Sequence, residues 1–125
     1  MDAIARWHDY VARRDPALLD ALIADDAVFQ SPAVHTPQVG KAVTCRYLTA
    51  AMRVLGTPVF HYTGEWRGER SAVLEFESEV GGMQVNGIDI IGWDADGRIV
   101  SFKVMARPLK GLHALIEAMG AELAR

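Results

Sequence analysis

The residue that says most about chemistry in this sequence is Asp89. It stands inside Gly87-Ile88-Asp89-Ile90-Ile91, and alternation puts Val85, Gly87, Ile91 and Trp93 on its face. A carboxylate among apolar strand neighbours is costly unless it is protonated, paired or exposed. Burial favours the neutral acid, which then acts as a hydrogen-bond donor towards a ligand oxygen. The alternatives are an outward or edge position, or an ion pair with Lys103 on the next strand. His35 is the second candidate. It lies in the polar stretch from Ser31 to Gly40, a loop, and loops often carry function. Imidazole is the side chain suited to proton transfer near neutrality. An ordinary exposed loop histidine is the alternative there. If the chain is an enzyme, the expected catalytic pair is Asp89 as acid or donor and His35 as base.

Other familiar chemistries are missing. The histidines, His8, His35, His61 and His113, show no metal-ligand spacing, and Cys45 is the one cysteine. No metal, cofactor or internal disulfide is expected. No Gly-x-Ser-x-Gly elbow makes Ser31 a nucleophile; Ser31-Pro32 reads as the end of a strand. No Gly-x-Gly-x-x-Gly or phosphate-loop pattern is present. Glu75, Glu77 and Glu79 alternate strictly, as a solvated strand face does. With 13 basic against 16 acidic residues the net charge is −3, which argues against nucleic-acid partners. No apolar run reaches the roughly 18 residues of a membrane span. The N-terminus has no signal-peptide character, and with the lone cysteine this makes a cytoplasmic location the expectation.

These candidates must be positioned by a chain of 125 residues, half of them hydrophobic, which suits one domain spanning 1–125. Ile4, Trp7 and Val11 fall at helical spacing. Asp15-Pro16 reads as an N-cap with proline in the first turn. Leu18, Leu19, Leu22 and Ile23 form a helical stripe, and Ala27–Gln30 is a short strand. Val43, Tyr47, Leu48, Ala51, Met52 and Leu55 mark a helix closed by Gly56. From Val59 to Arg67, Phe60, Tyr62 and Trp66 are expected on one face. Ala72–Val80 alternates cleanly. Gly81-Gly82 predicts a hairpin into Met83–Trp93, and Asp94-Ala95-Asp96-Gly97 a second into Arg98–Arg107. After Pro108, Leu109, Leu112, Ile116, Met119 and Leu123 mark a C-terminal helical extension over 109–124. Helices followed by an antiparallel meander define an α+β class, with helices on one face of a curved sheet.

Two motifs carry a family resemblance. Leu22-Ile23-Ala24-Asp25-Asp26-Ala27-Val28-Phe29-Gln30-Ser31-Pro32 resembles the first signature of the NTF2-like superfamily. Gly87-Ile88-Asp89-Ile90-Ile91, followed by Trp93-Asp94-Ala95-Asp96-Gly97-Arg98-Ile99, resembles its second. The nearest subset is the SnoaL-like group, with polyketide cyclases and ketosteroid-isomerase-like proteins. The resemblance implies a cone-shaped curved antiparallel sheet wrapped around a pocket that the N-terminal helices close. Leu74, Phe76, Asp89, Ile91, Phe102 and Val104 would then point inward; Glu75, Glu77, Lys103 and Met105 would point outward. It also implies a homodimer through the outer sheet face. Ketosteroid isomerases of this fold use two aspartates and a tyrosine. The oxyanion-hole aspartate falls on Asp89, the base aspartate on Ser31 and the tyrosine on Trp7. Two of the three are therefore replaced. Serine lacks useful basicity, while Trp7 keeps an N–H that would reach a ligand oxygen. The resulting expectation is a pocket for a small, largely apolar molecule, lined by Trp7, Ser31, Tyr47, Leu74, Phe76, Ile91, Phe102 and Val104. A cyclase, isomerase or dehydratase using Asp89 and His35 is the alternative.

Overall fold

The computed structural model describes residues Met1 to Arg125. Two short helices open the chain. In α1 (Ala3–Arg13), Asp2 caps the first turn by accepting from the Ala5 N–H at 2.8 Å. In α2 (Pro16–Leu22), Asp15 accepts from the Ala17 N–H, and Pro16 occupies the first turn as the dipeptide suggests. β1 (Ile23–Gln30) follows without a loop, and a two-residue β2 (Gln38–Val39) pairs back onto it. α3 (Lys41–Leu55) ends where Gly56 donates its N–H to the Met52 carbonyl. The meander is β3 (His61–Arg67), β4 (Ser71–Val80), β5 (Met83–Trp93) and β6 (Ile99–Arg107), and α4 (Leu109–Leu123) closes the chain.

The six strands form one curved open sheet in the order β2-β1-β6-β5-β4-β3. The expected α+β class and meander are present. One pairing departs from an all-antiparallel sheet: β1 runs parallel to β6. The long path through α3 and the meander brings the chain back beside β1 in the same direction. β1 also starts earlier than Ala27. Ile23 is extended, with φ −88° and ψ 129°, and caps α2 instead of continuing it. An apolar pair such as Leu22-Ile23 satisfies either period, so the boundary was not visible in the pattern.

Alternation along β4 and β5 is as expected. Ala72, Leu74, Phe76, Ser78 and Val80 are buried on β4, and Val85, Gly87, Asp89 and Ile91 on β5. The β3 expectation fails at one residue. Tyr62 pairs with Phe76 and points inward, but a register shift follows, so Gly64 pairs with Glu75 and Trp66 with Val73. A bulge of this kind turns later side chains to the other face. Trp66 is therefore on the outside, 58% exposed. The stripe of α4 is also shifted: Leu115 is buried, whereas Leu109 is exposed. One core of 22 buried residues joins the helices to the inner sheet face.

Candidate functional site

The sheet and α3 leave a cavity of about 180 Å³. Its wall is mostly apolar: Phe29 from β1, Leu48, Met52 and Leu55 from α3, Phe76 from β4, Phe102 and Val104 from β6. α4 lays Leu115, Ile116, Met119 and Leu123 over it, and the stretch Ser31–Val34 forms part of its rim. Asp89 is the one ionisable carboxyl on this wall.

Register puts Asp89 inside. It pairs with Leu74 on β4 and Val104 on β6, both inward residues. Lys103 pairs with Ile90 and belongs to the outer face, which removes the ion-pair alternative. Asp89 is 6% exposed, and burial raises its carboxyl pKa from the usual 3.8 to about 7. A hydrogen bond from the Tyr62 hydroxyl to Oδ2, 2.7 Å long, opposes that rise. The Trp7 indole N–H in turn donates to the Tyr62 oxygen at 2.9 Å. Burial first, then the neighbouring Asp89 carboxylate, hold the Tyr62 phenol well above its ordinary pKa. No bond from the protein reaches Oδ1 of Asp89, yet no side-chain polar atom is both buried and unsatisfied. Oδ1 is thus the oxygen open to the cavity.

The relay is packed by aromatic edges. His8 meets the Tyr62 ring edge-on at 5.3 Å and Phe60 does so at 5.2 Å. His8 also bonds Glu65 at 2.9 Å, and Arg67 bridges Glu65 and Asp2. Hydrogen bonds from His8 and Arg67 hold the Glu65 carboxyl below its usual pKa. Gly87 is required beside this wall, because a Cβ there would overlap the Phe76 ring.

The candidates from sequence distribute unevenly. Asp89, Trp7, Ser31, Tyr47, Phe76, Phe102 and Val104 all line the cavity. Leu74 and Ile91 do not: they are fully buried in the solid core, where neighbouring side chains leave no space to face. His35 is exposed and lines a separate surface depression with Lys103, Met105 and Leu112. The loop carries it past the rim, so it does not share the cavity with Asp89. Trp7 contributes its ring, but its N–H is committed to Tyr62 and not to a ligand. The Ser31 hydroxyl accepts from the Ala33 N–H at 2.9 Å and so holds its own turn. No three His, Cys, Asp or Glu side chains converge to hold a metal, and no helix is long and apolar enough to cross a membrane.

Sequence reading missed Tyr62 as the partner of Asp89, and it named no α4 residue among those lining the cavity. The first was detectable. Tyr62 falls on the inward period of β3, on the face that holds Asp89. Only the bulge after it disguised that face.

A SnoaL-like domain model matches residues 4–102. The chain belongs to the SnoaL-like family. A crystal structure of a steroid delta-isomerase from Pseudomonas aeruginosa is similar over 98% of this chain and 89% of that one, with 44% identity and a TM-score of 0.92. An uncharacterised bacterial protein with a cystatin-like fold from Silicibacter pomeroyi is similar over 95% and 83%, with 32% identity and a TM-score of 0.87. An NTF2-like protein of unknown function from Mesorhizobium loti, at 20% identity and a TM-score of 0.72 over 85% and 88%, shares the fold. No curated protein matches the sequence. The SnoaL-like match ends at Phe102, so α4, which roofs the cavity, lies beyond it.

Proposed function

We propose that this protein binds a small, largely apolar molecule in the cavity, with one polar atom of that molecule hydrogen-bonded to Asp89. The observation that carries this reading is a single buried carboxyl with one open oxygen on an otherwise apolar wall. Apolar pockets with few convergent polar groups are the usual form of small-molecule sites. Size limits the ligand. The cavity is about 180 Å³. A cavity of roughly 150 Å³ takes a benzene, and drug-sized ligands use roughly 300 Å³ or more. One ring or two fused rings suit it better than a tetracyclic skeleton. The test is a titration with indene followed at the Trp7 indole N–H resonance. A saturable shift that Met119→Trp abolishes is expected. No shift, or an equal shift in the filled variant, overturns the reading.

A second reading is an isomerase-type enzyme, supported by the 44% identical steroid delta-isomerase. Asp89 would be its acid, but neither His35 nor Ser31 supplies a base inside the cavity, so binding is the better-supported reading. Movement of the double bond of a β,γ-unsaturated cyclic ketone into conjugation, lost in Asp89→Asn, would favour the enzyme.

The expected homodimer rests on the outer sheet face, where Met105 is exposed beside half-buried Ile88, Ile90 and Lys103. Sedimentation at micromolar concentration should give a dimer that Met105→Glu weakens; a monomer contradicts it.

A further inference from the structure

We propose that Tyr62 is a positioning residue that fixes the polarity of Asp89, so that the site selects apolar ligands bearing a hydrogen-bond acceptor and no donor when Asp89 is neutral, and the reverse when it is ionised. This rests on the binding reading above and names the ligand class for that cavity.

The argument is one of donor accounting. An indole nitrogen only donates. Trp7 therefore fills one lone pair of the Tyr62 oxygen and cannot receive the Tyr62 proton. The one acceptor within reach of that proton is Oδ2 of Asp89. If Asp89 instead donated from Oδ2 to Tyr62, the Tyr62 O–H would be left unpaired in a buried setting, which is costly. Oδ2 is thus held as an acceptor. When Asp89 carries a proton, that proton sits on Oδ1, the oxygen facing the cavity. A ligand carbonyl then receives an O–H. When the proton leaves, the same atom becomes a bare anionic oxygen, which repels a carbonyl and accepts from an N–H or O–H.

The groups around Asp89 leave this switch to one titration. Its cross-strand neighbours, Leu74 on β4 and Val104 on β6, do not titrate. α1 presents Trp7, and α4 and α3 present apolar side chains apart from Tyr47, whose ring packs on Phe29. Tyr62 on β3 stays protonated, because its phenol is held well above its usual pKa. His8 meets its ring edge-on and is tied in turn to Glu65 and Arg67. The crossover is expected near the Asp89 midpoint of about 7.

Three nearly isosteric bicyclic probes separate the possibilities. 2-Indanone accepts only, indole donates only, and indene does neither. At pH 5.5 the wild-type protein should bind 2-indanone about tenfold more tightly than indene, with indole no better than indene. At pH 8.5 indole should lead and 2-indanone should fall to the level of indene or below. In Tyr62→Phe the crossover should move to higher pH, since the bond that favours the anion is gone. Indole should also gain on indene at pH 5.5, because the proton is then free to occupy Oδ2. In the wild-type protein, indene affinity should be the same at both pH values, and in Tyr62→Phe each probe is read as its ratio to indene. If indene binds but the ratio of 2-indanone to indole ignores pH, or if Tyr62→Phe leaves the crossover in place, the proposal is overturned. A ¹³C titration of the Asp89 carboxyl without ligand gives an arm independent of the binding reading. Its midpoint should rise in Tyr62→Phe, and an unchanged midpoint overturns the proposal even if no probe binds.

Discussion

The two ends of the cavity are built from different materials. The inner wall is strand and α1: Asp89 and Trp7 line it and are joined through the Tyr62 hydroxyl by hydrogen bonds of 2.7 and 2.9 Å, packed among aromatic rings. The mouth is α4 and the Ser31–Val34 stretch, apolar and half-exposed, with Ile116, Met119 and Leu123 reaching inward. Strand register fixes which way the first faces, because a slip of one residue would send Asp89 outside. A helix laid across an opening has no such register. On the proposed binding reading, the wall would decide which hydrogen bond a ligand makes, and the mouth would decide how large the ligand is.

The largest effect is expected at Asp89. Its midpoint rises from 3.8 in an unfolded chain to about 7 when folded, so the folded state holds its proton more tightly. That contribution to stability is complete below pH 3.8 and is lost as pH rises to about 7. The displacement corresponds to about 4 kcal/mol. Asp89→Asn keeps an oxygen for Tyr62 and offers an N–H to the cavity, without titrating. Its stability should lack this decline between pH 4 and pH 8 in urea unfolding. A parallel decline in both proteins would mean that the wall is wetter than the geometry implies.

Gly87→Ala attacks the wall by sterics alone. The new methyl overlaps the Phe76 ring and approaches the Met105 carbonyl, so the ring must move into the cavity. A cost of about 1–3 kcal/mol is expected, with indene affinity falling alongside it. Loss of stability without loss of affinity would place the adjustment in the sheet and not in the cavity. At the mouth, Met119→Ala should cost less, about 1–2 kcal/mol, because the side chain is only half-buried. It should admit larger ligands, read as a gain in affinity for three-ring relative to two-ring hydrocarbons, with the crossover of pH unchanged.

How much of this was legible in the sequence follows the same division. The inner faces of β4 and β5, and with them the inward direction of Asp89, follow from strict alternation and from two hairpins whose glycines fix the turns. Tyr62 sits on the same period, but one extra residue after it hides the face that Trp66 should have marked. Leu74 and Ile91 have the same orientation as Phe76 and Asp89. Whether an inward side chain meets empty space or another side chain depends on packing across the molecule, which no local pattern encodes. His35 shows the limit from the other side. Residue type and loop setting nominate it, while the path of the loop decides that it passes the rim. α4 is plain as a helix, yet its role as roof depends on the angle at which it returns, set where Gly111 meets the Gln84 backbone with no room for a side chain.

The smallest effect, and the sharpest test of the division, is at the fastening of α4. Arg53 on α3 reaches Glu122 at 3.2 Å, and Arg125 reaches the same carboxylate at 3.0 Å. The Arg46 guanidinium bonds the Leu123 carbonyl close by. An exposed pair with a second cation in reserve contributes little, so Arg53→Ala should change stability by only about 0.2–1 kcal/mol. Glu122 flanks Leu123, which faces the cavity, so a looser last turn should speed ligand release. Indene dissociation measured by line broadening should therefore accelerate, while the Asp89 midpoint stays where it was. A shift in that midpoint would show that the roof sets the dielectric around the carboxyl. The two ends would then be one device, and the selectivity assigned to Tyr62 would be shared with α4.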